Sequence, residues 1–300
     1  MDPVASPLVS VETLADWLLE PVPPVVVDLR WYLGRPGDGH RAYLEGHLPG
    51  AIFLDLDDDL ADLAGYGAPG RHPLPTPGAF TARMAAAGIA DGVRVVGYDD
   101  VGGWVAARLW WMLDNLGFGR RGIDGEWTGV LNGGIGAWTA SGRALEQGER
   151  VLPAATGRLH LGDAWQGVID RETLKSRLGT VTLLDARGAP RYRGETEPVD
   201  PVAGHIPTAL SAPIDGNLDP SGTLKSADGL RARYGELGIV AGAPGEVVVS
   251  CGSGTSAAHH SLAMRAAGLP DPILYVGSYS DWSRSGEPVA TGSEPGDPPR

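Results

Sequence analysis

The chain holds a single cysteine, Cys251, and its neighbours give it chemical potential. Upstream, Glu246-Val247-Val248-Val249-Ser250 is a short β-branched run that reads as a buried strand. Downstream, Gly252-Ser253-Gly254-Thr255-Ser256 is a loop of small residues, followed by an Ala-rich helical segment from Ala257 to Ala267. Strand, loop and helix in that order set the thiol at the C-terminal edge of a sheet and at the mouth of a helix. Unpaired backbone N–H groups and the helix macrodipole favour an anion there. A thiolate, or a persulfide carried on it, is such an anion, and a cysteine so placed can act as a nucleophile. A cysteine buried merely as a small hydrophobe is the plain alternative; it leaves the glycine-flanked loop without a purpose. Ser253, two positions on, suits either catalysis or capping of the following helix.

Other reactive residues sort around this centre. A cysteine phosphatase also sets its nucleophile between strand and helix, but needs an arginine six positions later to hold the oxyanion. That position is Ala257, and no basic residue stands between Cys251 and Arg265. His259 and His260 are adjacent in a helical segment, so they point about 100° apart and make no two-ligand metal face. With one cysteine and scattered histidines, a zinc site is not expected. Gly133-Gly134-Ile135-Gly136 lacks the strand, helix and ribose-binding acid of a dinucleotide loop and reads as a turn. His72, before a proline in a Gly/Pro-rich loop, and Asp57, in the acidic run Asp55 to Asp59, read by themselves as solvated loop residues.

The elements that must position Cys251 occur twice. Val25-Val26-Val27-Asp28-Leu29-Arg30 and Gly46-His47-Leu48-Pro49-Gly50-Ala51 in the first half answer Val181-Thr182-Leu183-Leu184-Asp185-Ala186-Arg187 and Gly204-His205-Ile206-Pro207-Thr208-Ala209 in the second. Val93 to Tyr98 matches Val247 to Val249 in character, and Leu131 to Trp138 matches Tyr275 to Trp282. Four landmarks in one order imply a duplicated domain. His47 and His205 recur in both copies, which favours a structural role. The position matching Cys251 is Asp99 or close to it, so the first copy lacks thiol chemistry and would serve as a scaffold for the second.

Short buried strands alternating with helices predict an α/β fold, each copy a mainly parallel sheet flanked by helices. Helices are expected over Val11 to Leu19, Pro77 to Ala87, Ala106 to Leu116 and Ala257 to Ala267. The expected domains are 1–145 and 167–290, with 146–166 as a Gly/Pro-rich linker and 291–300 as a disordered tail. With 24 basic against 37 acidic residues and no long basic cluster, neither nucleic acid nor an anionic membrane is an expected partner. The N-terminus lacks a basic and apolar leader, and no apolar run approaches the roughly 20 residues that span a bilayer. One cysteine makes no internal disulfide, which suits a reducing cytoplasm.

Together the cysteine loop, Asp28-Leu29-Arg30-Trp31-Tyr32-Leu33, Gly204-His205-Ile206-Pro207, Arg191-Tyr192-Arg193-Gly194-Glu195 and Trp110-Trp111 make the chain resemble the two-domain rhodanese family. These are the thiosulfate/3-mercaptopyruvate sulfurtransferases, and the resemblance runs from about Val9 to Ala290. Cys251 to Ala257 is similar to the CGSGVTA-type loop of the mercaptopyruvate branch; thiosulfate-preferring members more often carry charged residues there. The resemblance implies two tandem rhodanese-like domains, the second catalytic, and an enzyme without a cofactor. Cys251 would take sulfur from a small-molecule donor, 3-mercaptopyruvate or thiosulfate, and pass it from a persulfide to a thiol, thioredoxin or cyanide. A thiosulfate:cyanide sulfurtransferase and a non-catalytic sulfur-carrier or regulatory module are the alternatives. The family's Ser–His–Asp relay maps onto Ser253, His72 and Asp57, with Asp55 or Asp58 as alternatives for the acid. Two relay members would then come from the first domain. Arg191 maps onto the arginine clamp for the donor's carboxylate, with Arg71 a second candidate, and Gly252, Gly254, Thr255 and Ser256 would line the donor site. Where many mercaptopyruvate enzymes place a further arginine, this chain reads Glu197-Pro198-Val199-Asp200.

Overall fold

The computed structural model describes residues 6–63, 70–150, 157–242 and 245–299. Two compact units emerge. One comprises Met1–Asp62, Pro75–Gln166 and Pro220–Leu224; the other comprises Leu63–Leu74, Gly167–Asp219 and Lys225–Arg300.

In unit one, strands β1 (Leu8–Val9), β2 (Val25–Asp28), β3 (Ile52–Phe53), β4 (Arg94–Tyr98) and β5 (Trp127–Leu131) form a sheet of order β1-β5-β4-β2-β3. In unit two, β6 (Val168–Ile169), β7 (Thr182–Asp185), β8 (Leu210–Ser211), β9 (Val247–Ser250) and β10 (Ile273–Tyr275) repeat that order as β6-β10-β9-β7-β8. Every pairing is parallel, so each strand reaches its neighbour through a crossover. Continuous valine and leucine runs such as Val25-Val26-Val27 and Val247-Val248-Val249 suit strands covered on both faces. Leu14, Val26, Tyr43, Val96 and Trp138 are among the core of unit one. Leu174, Leu183, Tyr192, Val248 and Trp282 are among that of unit two.

The duplication extends to single hydrogen bonds. Arg30 folds back on Asp28 through Nε and Nη2 and donates from Nη2 to the carbonyl of Gly46 at 2.6 Å. Arg187 does the same with Asp185 and the carbonyl of Gly204, again at 2.6 Å. His47 Nδ1 lies 2.9 Å from the carbonyl of Tyr43 and stacks on its ring, and His205 treats Tyr192 likewise at 2.8 Å. These histidines tie the chain entering the third strand of each sheet to the preceding helical turn, which is a structural role.

The expected helices form at Val11–Trp17, Pro77–Ala86, Trp104–Asn115 and Ala258–Ala266. Ser10 and Thr76 cap the first two by accepting N–H bonds from Thr13 and Ala79. Gly133, at φ +82°, turns the chain into the helix Gly134–Ala140, so the glycine string is a helix entry.

The boundaries differ from the expectation in three places. Of the anticipated linker, residues 151–156 lie outside the described residues, and the rest packs on unit one. Glu146 bridges His47, the N–H of Asp91 bonds the carbonyl of Arg158, and the Trp165 indole bonds the carbonyl of Pro75 at 2.8 Å. Polar composition misled here because backbone carbonyls and one tryptophan suffice to anchor the stretch. The tail is likewise ordered as far as it is described. The N–H of Thr208 bonds the carbonyl of Pro295, the N–H of Gly292 bonds that of Arg193, and His205 Nε2 approaches that of Glu294. Finally, 70–74 belongs to unit two although the sequence places it in the first half. Among the described residues, no helix is long and apolar enough to cross a membrane.

Candidate active site

β9 is the middle strand of its sheet, flanked by β10 and β7. Its last residue, Ser250, pairs with Asp185, so Cys251 is the first residue beyond the sheet's C-terminal edge. That edge is where crossovers leave a crevice in an open parallel sheet. The thiol is almost fully buried, at 1% exposure. Its Sγ accepts the backbone N–H groups of Ser253 at 3.4 Å and Gly254 at 3.1 Å. The helix begins only at Ala258, with its first N–H groups closed onto Thr255, Ser256 and Ala257. The loop, rather than the helix terminus, therefore supplies the donors that face the sulfur.

Gly254 is required for this path. Its φ is +81°, and a Cβ there would run into the carbonyl oxygen of Val276. The segment 277–280 braces the loop from beneath. The N–H groups of Tyr279 and Ser280 bond the carbonyls of Cys251 and Gly252, each at 2.9 Å. The N–H of Cys251 donates to Ser278 Oγ at 3.0 Å, and that hydroxyl donates to the carbonyl of Tyr275. Ser278 holds φ +51°, a left-handed conformation that is costly for a residue with a Cβ. The strain is offset by the hydrogen bond that fixes the amide of Cys251.

Ser253 and His72 lie side by side. His72 Nδ1 lies 2.7 Å from Ser253 Oγ and 3.4 Å from Thr255 Oγ1, and all three residues are buried. His72 belongs to the same compact unit as Cys251, which corrects the expectation that it would come from the first domain. Its loop is positioned by the N–H of Arg71, which bonds Ser280 Oγ at 3.0 Å. Ser256 is half-buried and turns into the helix. Asp57 lies in unit one, in the short helix Leu56–Asp59. Its amide donates to Asp55, the cap of that helix, and its carboxylate accepts the Trp31 indole N–H at 2.9 Å. Asp58 is exposed.

Two guanidiniums overlie the cysteine loop. A Cβ on Gly252 would stand 2.9 Å from Arg71 Nη2 and 3.5 Å from Arg191 Nη1. Both are held by the acids that replace the expected clamp arginine. Arg191 donates from Nε and Nη2 to Glu197 at 3.1 and 2.7 Å and reaches Asp200 at 3.3 Å. Arg71 pairs with Asp200, and Arg284, which sequence reasoning missed, donates to the same carboxylate at 3.1 Å. Burial disfavours the Glu197 carboxylate, but Arg191 and the amides of Asp200 and Val199 carry it below the usual range. Burial likewise lowers Arg71, against the pull of Asp200 and Cys251.

Arg284, Ser278 and Ser280 carried no signal in the sequence beyond the recurring C-terminal landmark. Serines where the first copy has Gly134 and Gly136 were the available clue, since the N–H of Ile135 bonds the carbonyl of Asp99 just as that of Tyr279 bonds Cys251.

Comparison with known proteins gives a consistent picture. The Rhodanese-like domain family matches residues 10–141 and 170–285. A Pseudomonas aeruginosa protein named a probable 3-mercaptopyruvate sulfurtransferase is 43% identical over 95% of this chain and 98% of its own. The thiosulfate sulfurtransferase of Mus musculus is 32% identical over 88% of this chain and 86% of its own. The solved structure of SseA from Escherichia coli, a 3-mercaptopyruvate enzyme with the rhodanese fold, superposes with a TM-score of 0.74 at 30% identity, covering 92% of this chain and 100% of that one.

Proposed function

The chain belongs to the rhodanese family, and from that premise we propose a sulfurtransferase that takes sulfur from 3-mercaptopyruvate onto Cys251. One observation carries the reading. The only cysteine directly follows the middle strand of its sheet, with two backbone N–H groups on its sulfur and the guanidiniums of Arg71 and Arg191 over the next residue.

The chemistry follows from those groups. The thiolate of Cys251 attacks the donor's sulfur, the sulfur–carbon bond breaks, and the electron pair leaves on the enolate of pyruvate. The donor's thiol proton must travel to that carbon, and Ser253 with His72 is placed to carry it. The product, a persulfide with its charge on the outer sulfur, is stabilised by the same N–H groups and by Arg71 and Arg191, whose forks also suit the donor's carboxylate. A thiol, thioredoxin or cyanide then attacks the outer sulfur and regenerates the thiolate. Such a thiol chemistry suits the reducing cytoplasm. With thiosulfate as donor, sulfite leaves and no proton moves.

The test is kcat/KM for transfer to cyanide from each donor, with Cys251→Ser as blank. Intact mass after donor treatment should rise by about 32 Da, one sulfur atom. No transfer and no mass shift would leave a non-catalytic module instead.

A further inference from the structure

The arginines above Cys251 are not simply a clamp, because they are already partly neutralised. Asp200 has a side chain with no exposure to solvent, and it accepts hydrogen bonds or ion pairs from Arg71, Arg191 and Arg284. Glu197, 3% exposed, lies alongside and holds Arg191. Arg187, which also touches Glu197, is matched by its own partner Asp185. Three guanidiniums against two carboxylates leave the mouth of the site with one unit of positive charge. A thiolate on Cys251 uses that charge. An incoming 3-mercaptopyruvate brings one negative charge, whereas thiosulfate brings two into a half-buried site where unit charges interact strongly.

We propose that Asp200 is a specificity-determining residue: its buried carboxylate, shared among Arg71, Arg191 and Arg284, tunes the mouth of the Cys251 site to singly charged donors and against dianions. This rests on the sulfurtransferase reading and deepens it. Asp200 touches no reacting atom; it sets the charge and the direction of the arginines that do the binding.

The experiment measures kcat and KM for 3-mercaptopyruvate and thiosulfate in the wild type, Asp200→Asn and Asp200→Glu. In Asp200→Asn, kcat/KM for thiosulfate relative to mercaptopyruvate should rise about tenfold or more, through KM, as expected for one unit charge removed nearby. Asp200→Glu, which keeps the charge, should hold the ratio near the wild-type value. Glu197→Gln removes a charge from the same cluster and should move the ratio the same way, so the idea stays testable if Asp200→Asn does not fold. A ratio unchanged within about twofold in both neutral variants overturns the proposal. An equal shift in Asp200→Glu also overturns it, since packing and not charge would then be responsible. If the wild type transfers sulfur from neither donor, the sulfurtransferase reading itself fails, a result distinct from an active enzyme with an unmoved ratio.

Discussion

Two loops of this protein occupy the same topological place and turn their backbone N–H groups onto different side chains. β2 and β4 pair Asp28 with Tyr98 at their ends, and β7 and β9 pair Asp185 with Ser250. Asp99 is thus the counterpart of Cys251, each the first residue beyond the middle strand. In unit one the carboxylate of Asp99 takes four backbone N–H groups, from Val101, Gly103, Val105 and Ala106, at 2.7 to 3.1 Å. Its burial is complete and pushes the carboxyl up, while those four donors oppose the push. In unit two the sulfur takes two N–H groups, and the helix starts at Ala258 rather than as early as the one starting at Trp104 after Asp99. The loop is an anion cradle in both copies. A carboxylate closes the first permanently. The second loop is longer by two residues and turns only two donors onto its larger atom.

Breaking the second cradle should have the largest effect. Cys251→Ser is expected to lower sulfur transfer by more than about 10³-fold, since an alcohol is a far weaker nucleophile than a thiolate at neutral pH. Stability should stay within about 1 kcal/mol, as the oxygen can accept the same N–H bonds; residual activity in donor assays above a few per cent would refute the nucleophile. Breaking the first cradle should show in stability. Asp99→Ala leaves four N–H groups, three of them buried, without their acceptor and should cost about 3 kcal/mol or more in urea unfolding. A loss under about 1 kcal/mol would mean the carboxylate is no keystone.

Smaller effects sharpen the comparison. Ser253→Ala and His72→Ala should slow turnover of mercaptopyruvate by about 10–100-fold and that of thiosulfate much less, because only the former has a thiol proton to move. Equal losses on both donors would remove the relay. Ser278→Ala should lower kcat by a few-fold, about 1 kcal/mol for the hydrogen bond that fixes the Cys251 amide; an unchanged kcat would make Ser278 a bystander. A last effect concerns pH. Tyr234 donates to His260 Nδ1, and His260 Nε2–H donates to the carbonyl of Ala212, so the buried ring is held neutral. Burial pushes its pKa down from 6.5 to about 3. The unfolded chain therefore binds a proton first as pH falls. Stability from this group is full above pH 6.5 and lost progressively toward pH 3. Urea midpoints across that window should fall less steeply in His260→Gln, and parallel curves would rule His260 out.

Much of this was open to reading in the primary structure because the duplication is covalent. Paired landmarks such as Asp28-Leu29-Arg30 and Asp185-Ala186-Arg187 revealed two copies, and one cysteine between a valine run and a glycine loop marked the copy proposed as reactive. Arg191, Ser253 and His72 were named through family likeness, and the structure brings each beside the Cys251 loop. The linker and tail were misjudged because their anchors are backbone carbonyls, which leave no trace in composition.

By itself the sequence determined the fold class and the repeat, and singled out Cys251 as the candidate nucleophile, since periodicity and local loop chemistry are properties of neighbouring residues. Only the tertiary structure decided that 70–74 joins unit two, that Ser278 accepts strain to hold the Cys251 amide, and that Asp200 gathers Arg71, Arg191 and Arg284. Those contacts join residues up to 209 positions apart, as between Arg71 and Ser280. Charge balance and burial arise when distant segments share one small volume, and no local pattern encodes that volume.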